Sequence, residues 1–99
     1  MAIGIRLDVA GNSTTSNLQY QTVLANDKVT WTLNPGGSNL TISFGSNTPF
    51  DVPALISSGG MVERTIRADA SGHYGYSVSA LGPDGKPCVN VDSPEIVVD

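Results

Sequence analysis

Histidine and cysteine occur once each in these 99 residues, as His73 and Cys88. A lone cysteine closes no intrachain disulfide, so no covalent framework supports the fold. One Cys and one His also leave a structural zinc site two ligands short within one chain. Charge is sparse: Asp, Glu, Lys and Arg make up 14% of the residues, five basic against nine acidic, for a net −4. The basic residues Arg6, Lys28, Arg64, Arg67 and Lys86 are scattered along the sequence. Neutralising phosphates takes clustered Lys and Arg, so a nucleic-acid partner is not expected. No apolar run nears the roughly 18 residues of a membrane span. Met1 to Arg6 runs directly into a strand pattern without the apolar stretch of a signal peptide. A cytoplasmic chain and an exported one whose leader was removed fit these facts equally.

What is abundant is turn and strand material. Eleven Gly and six Pro accompany many Ser, Thr and Asn, a composition suited to short strands joined by tight turns. The length suffices for one domain and is too small for two, so residues 1–99 are expected to form one unit. Alternation at period 2 recurs, with no helical stripe. Ile3, Ile5, Leu7 and Val9 alternate with Gly4, Arg6 and Asp8 as a first strand, which Gly11-Asn12-Ser13 ends. Leu18, Tyr20, Thr22 and Leu24 mark a second, more polar strand at an edge, and Ala25-Asn26-Asp27 a turn. Val29, Trp31 and Leu33 then face inward, followed by an Asn34–Ser38 loop and an inward row of Leu40, Ile42 and Phe44. Gly45 to Gly60 is too long for a structureless loop and is expected to hold a short strand or a helical turn. Met61–Ala68 is strand again, with Val62 and Ile66 on one face. Tyr74, Tyr76, Val78 and Ala80 form the clearest core strand, Gly82–Pro87 a turn, and Glu95–Val98 the closing strand. Seven or eight short strands at this spacing predict an all-β sandwich.

Two segments narrow the class. Val29-Thr30-Trp31, a loop, and Leu40-Thr41-Ile42-Ser43-Phe44, followed by Gly72-His73-Tyr74-Gly75-Tyr76-Ser77-Val78, resemble the cupredoxin family of Greek-key β-sandwiches. The resemblance runs from about Asn26 to residue 99. In that family the first segment reads V-x-W/F, a loop, then H-x-V-x-F; the second reads G-x-Y-x-Y/F-x-C. A histidine opens H-x-V-x-F, the cysteine ends the second segment, and another histidine follows, all binding copper. Here Leu40 stands in the first histidine position, Val78 in the cysteine position and Leu81 close to the second histidine. A type 1 copper site needs a thiolate and two imidazoles, so no copper and no other cofactor is expected. The runner-up fold is an immunoglobulin-like sandwich, which lacks its Cys–Trp–Cys set here.

No catalytic constellation stands out. Asp69, Ser71 and His73 alternate within five residues, but a triad converges from separate segments, and three residues at a turn more simply make turn hydrogen bonds. Cys88, placed between the last two strands, reads as a small buried hydrophobe, or as a reactive thiol if a nearby cation such as Lys86 lowers its pKa. The chain is therefore expected to be a non-catalytic binding or structural module. The alternative is a metal-binding or electron-transfer protein with a non-standard ligand set or one that a second chain completes. The resemblance implies that Asn34–Asn39 and Leu81–Val91 form one exposed apolar end, of the kind that docks partners in that family. Leu81, Pro83, Pro87 and Val89 are the expected contacts for another protein or for a second copy. Phe50, in the irregular segment, is an added candidate, though an aromatic there more often tucks under its own loop.

Overall fold

Short runs of alternating residues favour strands that bury one side, and the computed structural model is built of these. It describes residues 2–10, 13–16, 20–34, 36–90 and 94–99, and every regular element among them is a strand. β1 (Ala2–Ala10), β2 (Ser13–Ser16), β3 (Tyr20–Val23) and β4 (Lys28–Leu33) precede the first long loop. β5 (Ser38–Ser43), β6 (Ala54–Ser57) and β7 (Met61–Thr65) follow. β8 (Gly72–Gly75), β9 (Ser77–Leu81), β10 (Pro87–Asn90) and β11 (Glu95–Val98) complete the described set.

Eight strands join in the order β6-β5-β9-β10-β2-β1-β4-β7, and three more in the order β3-β11-β8. Three pairings are parallel: β1 with β4, β2 with β10 and β3 with β11. β8 and β9 belong to different sheets, and the chain crosses between them at Tyr76, whose N–H donates to the Pro94 carbonyl at 3.1 Å. The all-β class holds. Eleven segments replace the expected seven or eight because β2 and β10 were not anticipated and because the long run at 72–81 divides at Tyr76.

The inward rows fall largely where alternation put them. Ile5 and Leu7 of β1, Val29, Trp31 and Leu33 of β4, and Leu40 and Ile42 of β5 are buried. So are Tyr74, Tyr76, Val78 and Ala80, and Ile96 and Val98. Each such aliphatic side chain contributes on the order of 2 kcal/mol of burial. The irregular segment holds a short strand, β6, as expected. β3 lies at the edge of its sheet, also as expected, but with its faces reversed: Val23 is buried, whereas Tyr20 is 60% and Leu24 56% exposed. Val23 alone supplies the inward apolar group of a mostly polar strand, so periodicity in Tyr and Thr pointed the wrong way. Leu18 lies outside the described residues.

Turns are closed by local hydrogen bonds. Asp27 N–H donates to the Leu24 carbonyl at 3.1 Å, and the buried Asp27 carboxylate accepts the Leu24 N–H at 2.9 Å. Asn26 between them sits at φ 71°, a left-handed conformation that asparagine tolerates. The β9–β10 hairpin is closed from Gly82 N–H to the Lys86 carbonyl and from Gly85 N–H to the Gly82 carbonyl, each at 2.9 Å.

Candidate functional site

The hairpin of β9 and β10 carries most of the expected contact residues, on a strand face as well as in loops. Leu81 pairs with Pro87 and Ser79 with Val89, and residues opposite one another in a ladder share a face. On β5, Ser38 pairs with Leu81 and Thr41 with Ser79. The buried residues of these strands, Val78, Ala80 and Cys88, point the other way. Leu81, Pro87 and Val89 thus stand together on the outer surface. Leu81 is half-buried, Pro83 and Pro87 are exposed, and Val89 is 57% exposed. Asp84 and Lys86 are the charged residues of the connecting turn, where Asp84 Oδ1 accepts the Lys86 N–H at 3.1 Å.

The loop after β4 meets this hairpin. Gly36 has φ +96°, and a Cβ there would lie 2.9 Å from Pro83 Cγ. Any side chain would collide with the proline ring, so glycine serves both the backbone conformation and the close approach. The two loops that the resemblance assigned to one end are therefore in contact. Val91 lies outside the described residues.

Phe50 is a correction. It is 1% exposed, with its ring centroid 5.9 Å from that of Trp31 and 5.5 Å from that of Phe44, both edge-to-face. Thr48 Oγ1 accepts the Phe50 N–H at 3.2 Å and donates to the Val52 carbonyl at 2.8 Å. This small turn folds the loop over the sandwich and drives the ring inward, so Phe50 is a core residue and offers no contact surface.

The positions that hold copper in the resembling family are filled by hydrocarbon. Leu40 is fully buried, Val78 is 2% exposed, and Leu81 lies on the opposite face of β9 from Val78. Cys88 faces Ala80 across the ladder and is fully buried, its thiol 3.7 Å from the Lys86 carbonyl. It lies in β10, where a loop was expected, and its burial matches the small-hydrophobe reading. His73 lies on the smaller sheet, with Nδ1 3.3 Å from Glu95 Oε1 and its side chain 72% exposed. The donors present do not fit a type 1 copper ion, which needs two imidazoles beside a thiolate: the sequence holds one His, here exposed on the smaller sheet, and one Cys, buried under the larger. Among the described residues, no three of His, Cys, Asp and Glu gather as a metal site.

Asp69, Ser71 and His73 take separate partners. Asp69 Oδ1 is 3.8 Å from Arg67 Nε, the Ser71 N–H donates to the Tyr74 hydroxyl at 3.1 Å, and His73 faces Glu95.

Two features were not anticipated. Asn90 Oδ1 accepts the Val78 N–H at 2.9 Å, a side chain taking over where the β9–β10 ladder stops. The scattered cations also converge in space: Lys28, Arg64 and Arg67 line one open cleft with Asp51 and Glu63. Arg64 grips Asp51 with both ends of its guanidinium, Nε to Oδ1 at 2.8 Å and an Nη to Oδ2 at 2.9 Å. That fork holds the Asp51 carboxyl below its usual range and raises the arginine. Lys28 lies 3.5 Å from Glu63, and Arg67 donates to the Thr48 carbonyl at 2.8 Å. The register of β4 on β7, which pairs Lys28 with Thr65, brings Lys28 beside Arg64 and Arg67. Their sequence spacing carries no such signal.

Comparison with solved structures shows that the fold is cupredoxin-like. The chain aligns with an oxidised lysine-for-methionine variant of amicyanin at TM-score 0.56 and 17% identity, over 97% of this chain and 82% of that one. A Cu(I) alanine-for-methionine variant matches at 0.56 and 16%, and a reduced tyrosine-for-tryptophan variant at 0.56 and 15%, over the same shares. At such identity the likeness speaks for the fold. No family profile matches the chain, and no curated protein sequence does.

Proposed function

We propose that this cupredoxin-like domain is a non-catalytic binding or structural module without type 1 copper, and that its contact surface is the outer side of the β9–β10 hairpin. The observation that carries this reading is the occupancy of the ligand positions: Leu40 and Val78 are core hydrocarbon, and Leu81 stands on the outer face beside Pro87. The apolar side chains of Leu81, Pro87 and Val89 favour docking there, because their burial is favourable and few charges, Asp84 and Lys86 of the turn, lie nearby. The separate partners of Asp69, Ser71 and His73 support a non-catalytic role.

Adding Cu(II) to the purified protein tests the first half. No intense thiolate-to-copper absorption in the visible range is expected, and a strong blue colour overturns the reading. Leu81→Asp tests the second half. Proteins recovered with the domain from its own host, or its self-association, should weaken while the fold survives. Unfolding by Leu81→Asp would mean that this surface belongs to the core.

A further inference from the structure

Cations and carboxylates are matched across the larger sheet and its loops. Arg6 has Asp8 beside it, Lys28 has Glu63, Arg64 has Asp51 and Arg67 has Asp69. Lys86 shares its turn with Asp84. Nine acidic residues against five basic then leave Asp27, Asp92, Glu95 and Asp99 over, the whole of the net −4. Asp27 is buried, and Asp92 lies outside the described residues. Glu95 opens β11 and Asp99 follows it, on a sheet whose three strands contain no Lys or Arg.

Alternation decides what this sheet shows to solvent. Val23, Tyr74, Ile96 and Val98 are buried, so the residues between them point outward. β3 lies parallel to β11 with Tyr20 opposite Glu95 and Val23 opposite Val98. One step further sets Leu24 beside Asp99, whose N–H donates to the Val23 carbonyl at 3.0 Å. Tyr20 and Leu24 are both more than half exposed. Each carboxylate thus stands next to an open apolar side chain, and the two units repeat about 13 Å apart along the strand. Val97 lies midway, with His73 across from it on β8 and its Nδ1 3.3 Å from Glu95 Oε1. A carboxylate beside an apolar side chain suits Lys or Arg, whose alkyl stem covers the one while its head meets the other. An arginine can also stack on the Tyr20 ring. A second copy of this chain would bring the same carboxylates face to face, which is unfavourable.

We propose that the outer face of the smaller sheet docks an extended, basic segment of a partner protein, with Lys or Arg at two positions four residues apart. One cation sits between Tyr20 and Glu95, the other between Leu24 and Asp99, and an apolar residue midway covers Val97. Charge complementarity sets the choice of partner, and the exposed apolar side chains supply the burial. This face belongs to the other sheet from the β9–β10 hairpin, so either surface can fail alone.

The test is a displayed library of random ten-residue peptides selected against the whole protein at neutral pH, followed by NMR titration with the enriched peptides. These should carry two Lys or Arg four positions apart, shift the resonances of Tyr20, Leu24, Glu95, Val97 and Asp99, and lose affinity in high salt. Glu95→Gln with Asp99→Asn should weaken binding at least tenfold. Asp8→Asn with Asp51→Asn changes the net charge equally but on the larger sheet, and should leave affinity within twofold. Tyr20→Ser, at an exposed position, should weaken binding at least threefold and keeps the test intact if the double variant does not fold. Recovery of no basic peptide, shifts elsewhere, equal losses in the two double variants, or unchanged affinity in the folded variants overturns the proposal. So does movement of these resonances with protein concentration in the absence of peptide, which would assign the face to a second copy.

Discussion

The two ends of the core beneath β5 and β9 are built of different materials. At one end Trp31, Phe44, Phe50 and Tyr76 form a ring cluster with centroids 5.2–6.3 Å apart, and Trp31 Nε1–H donates to the Tyr76 hydroxyl at 3.3 Å. At the other end Leu40, Val78, Ala80 and Cys88 fill space with aliphatic and small side chains. The aromatic end keeps the residues that make the chain resemble cupredoxins. The aliphatic end holds the positions where that family places ligands. Ring geometry organises the packing at one end and aliphatic burial at the other.

Trp31→Ala strikes the aromatic end hardest. The cavity it leaves should cost about 3–5 kcal/mol in denaturant melts, a large share of a small domain's stability. A cost near that of a surface change would mean that the rings do not hold the sheets together. Tyr76→Phe sharpens the same point by removing one oxygen while keeping the ring. It leaves the buried indole N–H without its acceptor and should cost about 1–3 kcal/mol. A neutral result would assign the cluster's contribution to packing alone.

His73→Ala samples the exposed smaller sheet and should change stability by less than about 1 kcal/mol. A severe effect beside a mild one at Trp31 would invert the inside and outside of the fold. The smallest effect is expected from Asp51→Asn, at the exposed fork with Arg64. The Asp51 carboxyl is held below its ordinary 3.8 in the folded chain. Its contribution is thus present above the unfolded pKa and lost as pH falls through the lower folded value. Melts of the two proteins should differ at neutral pH and converge in acid well below pH 3.8, with the difference shrinking in high salt. A difference that persists at that acidity would place its origin elsewhere than in the ion pair.

Much of this arrangement is legible in the sequence, for a physical reason. Where one face of a strand is buried, period-2 alternation of large apolar side chains identifies both the strand and its inward row, as at Val29-Trp31-Leu33 and Tyr74-Tyr76-Val78-Ala80. The signal fails where burial is carried by small or polar residues. β2 reads Ser-Thr-Thr-Ser, and its buried Thr14 looks like a surface residue. β10 begins with a proline, which reads as turn, yet its Cys88 is fully buried. Leu81, Pro87 and Val89 were legible as a group but not as a shared strand face, since that depends on the pairing of β9 with β10. Register between distant strands likewise unites Lys28, Arg64 and Arg67, and no local pattern encodes it.

The strand order of the smaller sheet has a consequence for how the chain acquires its structure. Its central member is β11, which joins β3 on one side and β8 on the other, with Glu95 opposite Tyr20. Until that late segment is synthesised, β3 and β8 have no neighbour to bond, however long ago β3 left the ribosome. Assembly of this half waits on the closure of a very long loop, whose entropy must be overcome before any pairing rewards it. Folding of this half is therefore expected to be slow, with β3 left unpaired in its sheet until β11 arrives.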